Sequence, residues 1–260
     1  MNRRDFLTSL TCGTAAALLS KPLLAAPLNE IQSNGVLRVA VMQDYAPFGS
    51  IGPDMKSIGL DVDLAEAFAK KLGVKLTMIP SIGSNRIPLL QTGKVDLIIA
   101  CLGKTAEREK VVDFSAPYAS TFNAVYGGAE VAVISPEALA GKTIGASRGG
   151  TEDLQLSKIA PEGAIIRRFE DTANTLAAFA SKQVDLVATG STTAVVFSKT
   201  SPRKLDLKIK LSDEPTYIGV SKGDGEMLAR VNQILGEMKA DGSLSQLSQK
   251  WLGYPLPANF

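Results

Sequence analysis

The sequence predicts an α/β protein of two Rossmann-like lobes joined by a two-strand hinge, with a ligand cleft between the lobes. Three observations carry this expectation. Strand and helix patterns alternate, the two halves are spelled alike, and the roughly 235 residues that follow an expected leader are near the size at which one core divides into two.

Val36–Met42 reads as a strand. Leu60–Leu72 reads as a helix: Leu64, Ala67, Phe68 and Leu72 share a face, acids fill the first turn and Gly73 stops it. Val74–Ile79 is expected as a strand, Asn85–Gln91 as a helix and Val95–Ala100 as a buried strand. The alternation then repeats, with strands at Thr143–Ala146, Ala164–Phe169 and Val184–Ala188 and helices at Thr151–Ile159 and Thr172–Ala180.

The spelling repeats as well. "QTGKVDLIIACL" (91–102) and "ASKQVDLVATGS" (180–191) each run from a helix end through a turn into a Val-Asp-Leu strand. "GVLRVAVMQDY" (35–45) and "GKTIGASRGGT" (141–151) are each a glycine-led strand opening onto a loop. Chance likeness between parallel strands would leave the α/β class unchanged. A basic linker (Lys199 to Lys210), a strand around Tyr217–Ser221 and helices near Glu226–Ala240 and Ser243–Trp251 complete the chain. A chain that builds one lobe, leaves for a second and returns crosses twice. Thr121–Gly127 and Asp213–Ile218 are the expected crossings, and a ligand is expected between the strand ends beside them. The first lobe then comprises residues 26–122 and 217–260, and the second residues 123–216.

Residues 1–25 have a basic start, an uncharged stretch from Leu7 to Ser20 and small residues at Ala25-Ala26, as a cleaved secretory signal does. Arg3-Arg4 followed by Phe6-Leu7 resembles a twin-arginine export signal, and an ordinary Sec signal is the alternative. Cleavage is expected after Ala25, with a periplasmic destination. Removal of Arg3, Arg4, Lys21 and Asp5 takes the formal charge from +2 to neutral, which gives no support for nucleic-acid binding. Cys101 then remains as a lone cysteine, so no intramolecular disulfide is expected. No later segment reads as a membrane span.

The chain has no histidine, which removes the usual general base, the usual zinc ligand and every Ser–His or Cys–His pair. Gly145-Ala146-Ser147-Arg148-Gly149 spells a nucleophile elbow, but the triad has no histidine to complete it. Gly141-Lys142-Thr143 lacks the earlier glycine of a phosphate loop. Neither metal nor cofactor is expected.

"DYAPF" (44–48), "GLDVDLAEAFAKKLGV" (59–74), "RIPLLQTGKVDLIIA" (86–100), "TAEREKVVDFSAPY" (105–118) and "LAGKTIGASRGGTED" (139–153) resemble the bacterial solute-binding proteins of amino-acid ABC transporters, family 3. The likeness runs in order to "DGSLSQLSQKWLG" (241–253). It implies the type II periplasmic binding protein fold, binding without chemistry, lobe closure on a small ligand, an inner-membrane ABC permease as partner, and a monomer. Lobe closure in such proteins is a standard instance of hinge motion.

By that resemblance Arg108 holds a ligand carboxylate, a role that suits the permanent charge and planar fork of a guanidinium. Tyr45 stands at an aromatic wall, Ala100, Cys101 and Gly103 offer backbone contacts, and Thr105 opens the turn that bears Arg108. Gly150 and Thr151 lie at a helix start whose N–H groups suit a carboxylate. Thr189 flanks the position of a family aspartate, and Asn85 adds a polar contact with Arg86 nearby.

The departures concern the ligand ammonium. The expected aspartate is Gly190, a first-strand aspartate is Met42, and a second aromatic wall is Gly83. Either Asp44 or Glu152 substitutes, or the ligand is not an ordinary α-amino acid. The rival expectation is an exported dehydratase of the cyclohexadienyl or arogenate type on the same scaffold, with Glu152 as its general acid.

Overall fold

The computed structural model describes residues 27–257 and 260. The expected signal peptide lies outside the described residues. In the first lobe, α1 (Leu28–Asn34) leads into β1 (Val36–Met42), followed by a small antiparallel sheet of β2 (Asp44–Tyr45), β3 (Gly49–Ile51) and β4 (Ser57–Ile58). Then come α2 (Leu60–Leu72), β5 (Lys75–Ser81), α3 (Arg86–Gln91), β6 (Leu97–Gly103) and the single turn α4 (Ala106–Glu109). The long strand β7 (Val112–Gly127) leads to the second lobe, built from β8 (Thr143–Ser147), α5 (Thr151–Ile159), β9 (Ile165–Phe169), α6 (Thr172–Ala180), β10 (Leu186–Gly190) and α7 (Ser191–Thr200). A second long strand, β11 (Asp206–Ser221), returns to α8 (Gly225–Ala240) and α9 (Ser243–Leu252).

One eight-stranded sheet has the order β5-β1-β6-β11-β7-β10-β8-β9. In the first lobe β1 pairs in parallel with β5 on one side and β6 on the other; in the second, β8 pairs in parallel with β9 and β10. Each lobe therefore sets its first strand between its second and third, so the likeness in spelling is a likeness in topology. The antiparallel pair β7 and β11 joins the halves, from Val112↔Ser221 at one end to Gly127↔Asp206 at the other.

Apolar side chains cluster by lobe. One cluster gathers buried residues between Leu28 and Ala119 together with others from Ile218 to Leu244. Two smaller clusters lie in the second lobe, around Phe179 and Val187 and around Ile144 and Leu186. Helix α2 has the expected bounds: Leu64 and Phe68 are buried, and Gly73 ends it in the left-handed conformation, donating to the Ala69 and Lys70 carbonyls.

One expectation needs correction, and one helix was not expected. Lys199 to Lys210 is not a linker, because α7 runs to Thr200 and β11 begins at Asp206. The alternation of Leu207, Ile209 and Leu211 with Lys208 and Lys210 carried the strand signal, and the dense charge obscured it. Helix α7 escaped notice because "STTAVVF" is rich in β-branched residues of modest helix propensity; burial of Thr193 and Ala194 outweighs that preference. Thr121–Gly127 and Asp213–Ile218 lie within the long paired strands.

Candidate functional site

Elements of both lobes, among them the following, converge on one enclosed space. The C-terminal ends of β1 and β6 bring Met42 and Cys101, β2 brings Tyr45, α3 brings Arg86, the start of α5 brings Thr151 and Glu152, and β11 brings Glu214. The cavity is ≈ 20 Å³. That is room for about one water, so any larger ligand enters only if the lobes separate.

Arg108 does not line this cavity but is buried next to it, on α4. Its Nη1 donates to the Gly103 carbonyl at 2.6 Å and its Nη2 to the Gly149 carbonyl at 2.9 Å. The first acceptor is in lobe one and the second in lobe two, so the guanidinium bridges the cleft. Thr105 accepts from the Arg108 N–H at 3.2 Å and so fixes the turn that aims the side chain. Burial and the nearby Arg86 lower the Arg108 pKa to about 10, still charged at neutral pH.

Arg86 is buried more deeply. Its Nη1 donates to the Ala100 and Cys101 carbonyls, while its Nε has no partner. The Cys101 N–H donates to Asp61 Oδ2 at 2.7 Å, and Tyr118 donates to Asp61 Oδ1 at 2.7 Å. The main-chain groups of Ala100, Cys101 and Gly103 expected to meet a ligand are thus engaged by Arg86, Asp61 and Arg108. Cys101 has φ 45°, a left-handed conformation uncommon for a side-chain-bearing residue, held by these bonds at the cleft wall. Burial raises its thiol pKa well above the ordinary value.

Tyr45 is buried at the lobe boundary, where its hydroxyl accepts from the Gly190 N–H at 3.1 Å. A Cβ at residue 190 would come within 2.5 Å of that hydroxyl. The position expected to carry an aspartate is therefore filled by the Tyr45 hydroxyl, and glycine is what allows the approach. Gly83 likewise rests against the backbone of Arg148 and Gly150, leaving no room for an aromatic wall. Asp44 Oδ2 accepts from the Thr172 N–H at the start of α6 at 2.7 Å, a further bond between lobes.

The start of α5 differs from expectation in an informative way. Gly150 is its N-cap, but the Glu152 carboxylate folds back on its own backbone N–H and over Gly150. The helix N-terminus is thus occupied by an internal carboxylate. Burial raises the Glu152 pKa to about 7, against the lowering effects of that N–H and of Arg86.

Glu214, in the hinge strand, was not singled out from sequence. Its Oε2 accepts from Gln155 Nε2 at 3.0 Å; Gln155 Oε1 accepts in turn from Asn123 Nδ2, which also donates to Thr151 Oγ1. Glu214 Oε1 is buried with no partner and lies directly over Gly103. Its one local signal was its place before Pro215 in an expected crossing, which does not reveal the direction of a side chain. Asn85 is exposed, its Oδ1 accepting from the Ile82 N–H, and Thr189 is buried in β10; neither lines the cavity.

A larger cavity of ≈ 580 Å³ lies to one side, between Trp251 and Tyr254 of the first lobe and Ser191 and Val195 of the second. It is mainly apolar and contains none of the buried charges of the cleft. Among the described residues there is no group of three or more acidic or cysteine side chains placed to hold a metal, and no helix long and apolar enough to cross a membrane.

Residues 37–254 match the family described as bacterial extracellular solute-binding proteins, family 3. The chain is 28% identical over 229 residues to the L-cystine-binding protein TcyJ of Escherichia coli (strain K12), covering 87% of this chain and 86% of that one. It is 31% identical over 247 residues to the ABC transporter glutamine-binding protein GlnH of Bacillus subtilis (strain 168), covering 92% and 88%. Among solved structures it is similar to the ancestral amino acid-binding protein AncCDT-1, a precursor of cyclohexadienyl dehydratase. That likeness has a TM-score of 0.79 and 34% identity, covering 86% of this chain and 98% of the other.

Proposed function

Because the chain belongs to the bacterial extracellular solute-binding proteins, family 3, we propose that it captures an amino acid or a related small carboxylate between its lobes and delivers it to an ABC permease. The carrying observation is Arg108, a buried guanidinium that bonds to both lobes next to, though not lining, a cavity too small to enter without their separation. Closure around a ligand carboxylate would exchange the Gly149 carbonyl for a charged acceptor, and charge-assisted bonds are roughly twice as strong as neutral ones. Arg86, whose Nε has no partner, is a second guanidinium and lines the cavity itself.

The same proposal covers export to the periplasm by a twin-arginine signal cleaved near Ala25, monomeric action, lobe bounds of 26–122 with 217–260 and 123–216, and binding rather than catalysis. The ligand-contacting set proposed is Arg108, Tyr45, Cys101, Gly150, Thr151 and Glu152. Thermal-shift measurements on purified protein against the L-amino acids, L-cystine and their carboxylate analogues test it. Saturable stabilisation by one of them is expected, and no stabilisation by any would overturn it.

One observation favours a second reading, a dehydratase acting on cyclohexadienyl substrates. Glu152 is a buried carboxyl in the cleft with its pKa raised to about 7, as a general acid requires. Turnover of a cyclohexadienyl acid to an aromatic product, followed by ultraviolet absorbance and lost in Glu152→Gln, would establish it; absence of turnover supports binding alone.

A further inference from the structure

The larger cavity, of ≈ 580 Å³, is within the range of about 300–1,000 Å³ typical of small-molecule sites. It is separate from the cleft. Phe122 and Asp213 pair across the linking strands and line it, whereas their chain neighbours Asn123 and Glu214 line the cleft. Successive strand residues point to opposite faces, so the two spaces lie on opposite sides of β7 and β11.

One wall is a single stripe of α7. Thr192, Val195, Val196 and Lys199 are spaced i, i+3, i+4 and i+7, and all four line the cavity. The first lobe supplies Trp251, Tyr254 and Leu256. Trp251 Nε1 donates to Asp63 Oδ2 at 2.7 Å and the Tyr254 hydroxyl donates to the Ser120 carbonyl at 2.9 Å, so both rings are held in place.

Polar groups nearby are paired with one another. The Ser191 and Thr121 hydroxyls are 2.6 Å apart, and Asp213 Oδ1 accepts from Lys210 at 2.7 Å. Two donors remain on the α7 stripe. Thr192 Oγ1 is buried without a partner, and Lys199 has no hydrogen bond or ion pair among the described residues. At ~1.5 Å per residue they stand about 10 Å apart along the helix, with Val195 and Val196 between them. A buried hydroxyl without a partner is costly, and a ligand oxygen would remove that cost. The stripe reads donor, apolar, cation; its complement is acceptor, apolar body, anion.

We propose that this cavity is a second binding site, for an elongated aromatic carboxylate with a hydroxyl oxygen at its far end. The carboxylate pairs with Lys199, the ring lies between Val195 and Trp251, and the far oxygen accepts from Thr192. Burial of the ring carries the affinity. The ion pair to exposed Lys199 selects the charge and adds little strength. The proposal does not depend on what the cleft binds.

Trp251 is the single tryptophan of the chain, so its fluorescence reports on this cavity. The probes are 3-(4-hydroxyphenyl)propionate, 3-phenylpropionate, which lacks the far oxygen, and tyramine, which replaces the carboxylate with an ammonium. The first is expected to change Trp251 emission saturably, and tyramine to bind at least fivefold more weakly. 3-Phenylpropionate should bind less tightly than the first. Lys199→Gln should weaken 3-(4-hydroxyphenyl)propionate about threefold without weakening tyramine, and Val195→Asp should weaken it at least tenfold. Arg108→Ala should leave it unchanged, because Arg108 lies in the cleft. The comparison of three probes on wild type needs no variant, so misfolding of a variant cannot obscure it. No saturable change, tyramine bound as tightly as the carboxylate, or loss of the signal in Arg108→Ala would overturn the proposal. Emission that changes with protein concentration alone, together with a dimer in sedimentation, would assign the cavity to a second copy of the chain and overturn it too.

Discussion

Arg108 and Glu152 make opposite demands on the same cleft. Arg108→Ala is expected to cost roughly 2–5 kcal/mol of binding free energy, as removal of one partner of a buried charge pair does. Arg108→Lys should also bind poorly, because an ammonium cannot span the Gly103 and Gly149 carbonyls as the fork does. Calorimetry on folded variants checks both, and wild-type affinity in Arg108→Ala would count against a ligand role. Glu152 weakens the fold that holds it only when ionised. Its folded-state pKa of about 7 lies above the ordinary 4.5, so the native state binds the proton more tightly than the unfolded chain. Its contribution is complete below about pH 4.5 and is lost as pH rises to about 7, on the order of 3 kcal/mol for a shift of that size. Glu152→Gln should therefore raise the melting temperature at pH 8 and change it little at pH 5. Asp61 adds a slope of the same sign, since burial also places its pKa at about 7. Arg108 was legible only through the family likeness of its segment. Glu214 was not legible, because its role depends on β11 crossing over Gly103, a contact no local pattern encodes.

At the scale of elements, closure depends on helix starts and strand ends that meet across the cleft. The N-terminus of α6 docks on Asp44, the end of β10 docks on Tyr45, and the loop before α5 docks on Arg108 and Gly83. Gly190→Ala places a methyl group 2.5 Å from the Tyr45 hydroxyl, too close to coexist with it, but only when the lobes are together. The variant is expected to fold normally, bind about tenfold more weakly and have a larger radius of gyration at equal ligand concentration. Unchanged affinity and size would mean that the Tyr45 contact does not control closure. Helices with a clean apolar face and a glycine or aspartate at the end, such as α2 and α6, were legible to within a residue or two. The small sheet β2–β4 and helix α7 were not, because two- and three-residue strands have no measurable period and tertiary burial decides α7.

At the scale of the molecule, each lobe has a parallel β-β-β core in the order second, first, third, and the long pair β7 and β11 links them. The repeated Val-Asp-Leu spelling marked this plan because each of those strands is the third of its lobe, buried and followed at once by the cleft. The breaks in register along the hinge pair, at Leu207/Ile209, Lys210/Ser212, Thr216/Tyr217 and Tyr217/Gly219, bracket Glu214 and give the linking strands places to bend. Bending there would separate Arg108 from Gly149 and open the cavity while leaving both cores intact. Small-angle X-ray scattering, with and without a saturating concentration of the amino acid that stabilises the protein most, tests this central claim most directly. A smaller radius of gyration with the amino acid, and no such compaction in Arg108→Ala, is the predicted result. Identical scattering with and without it would contradict lobe closure around a ligand.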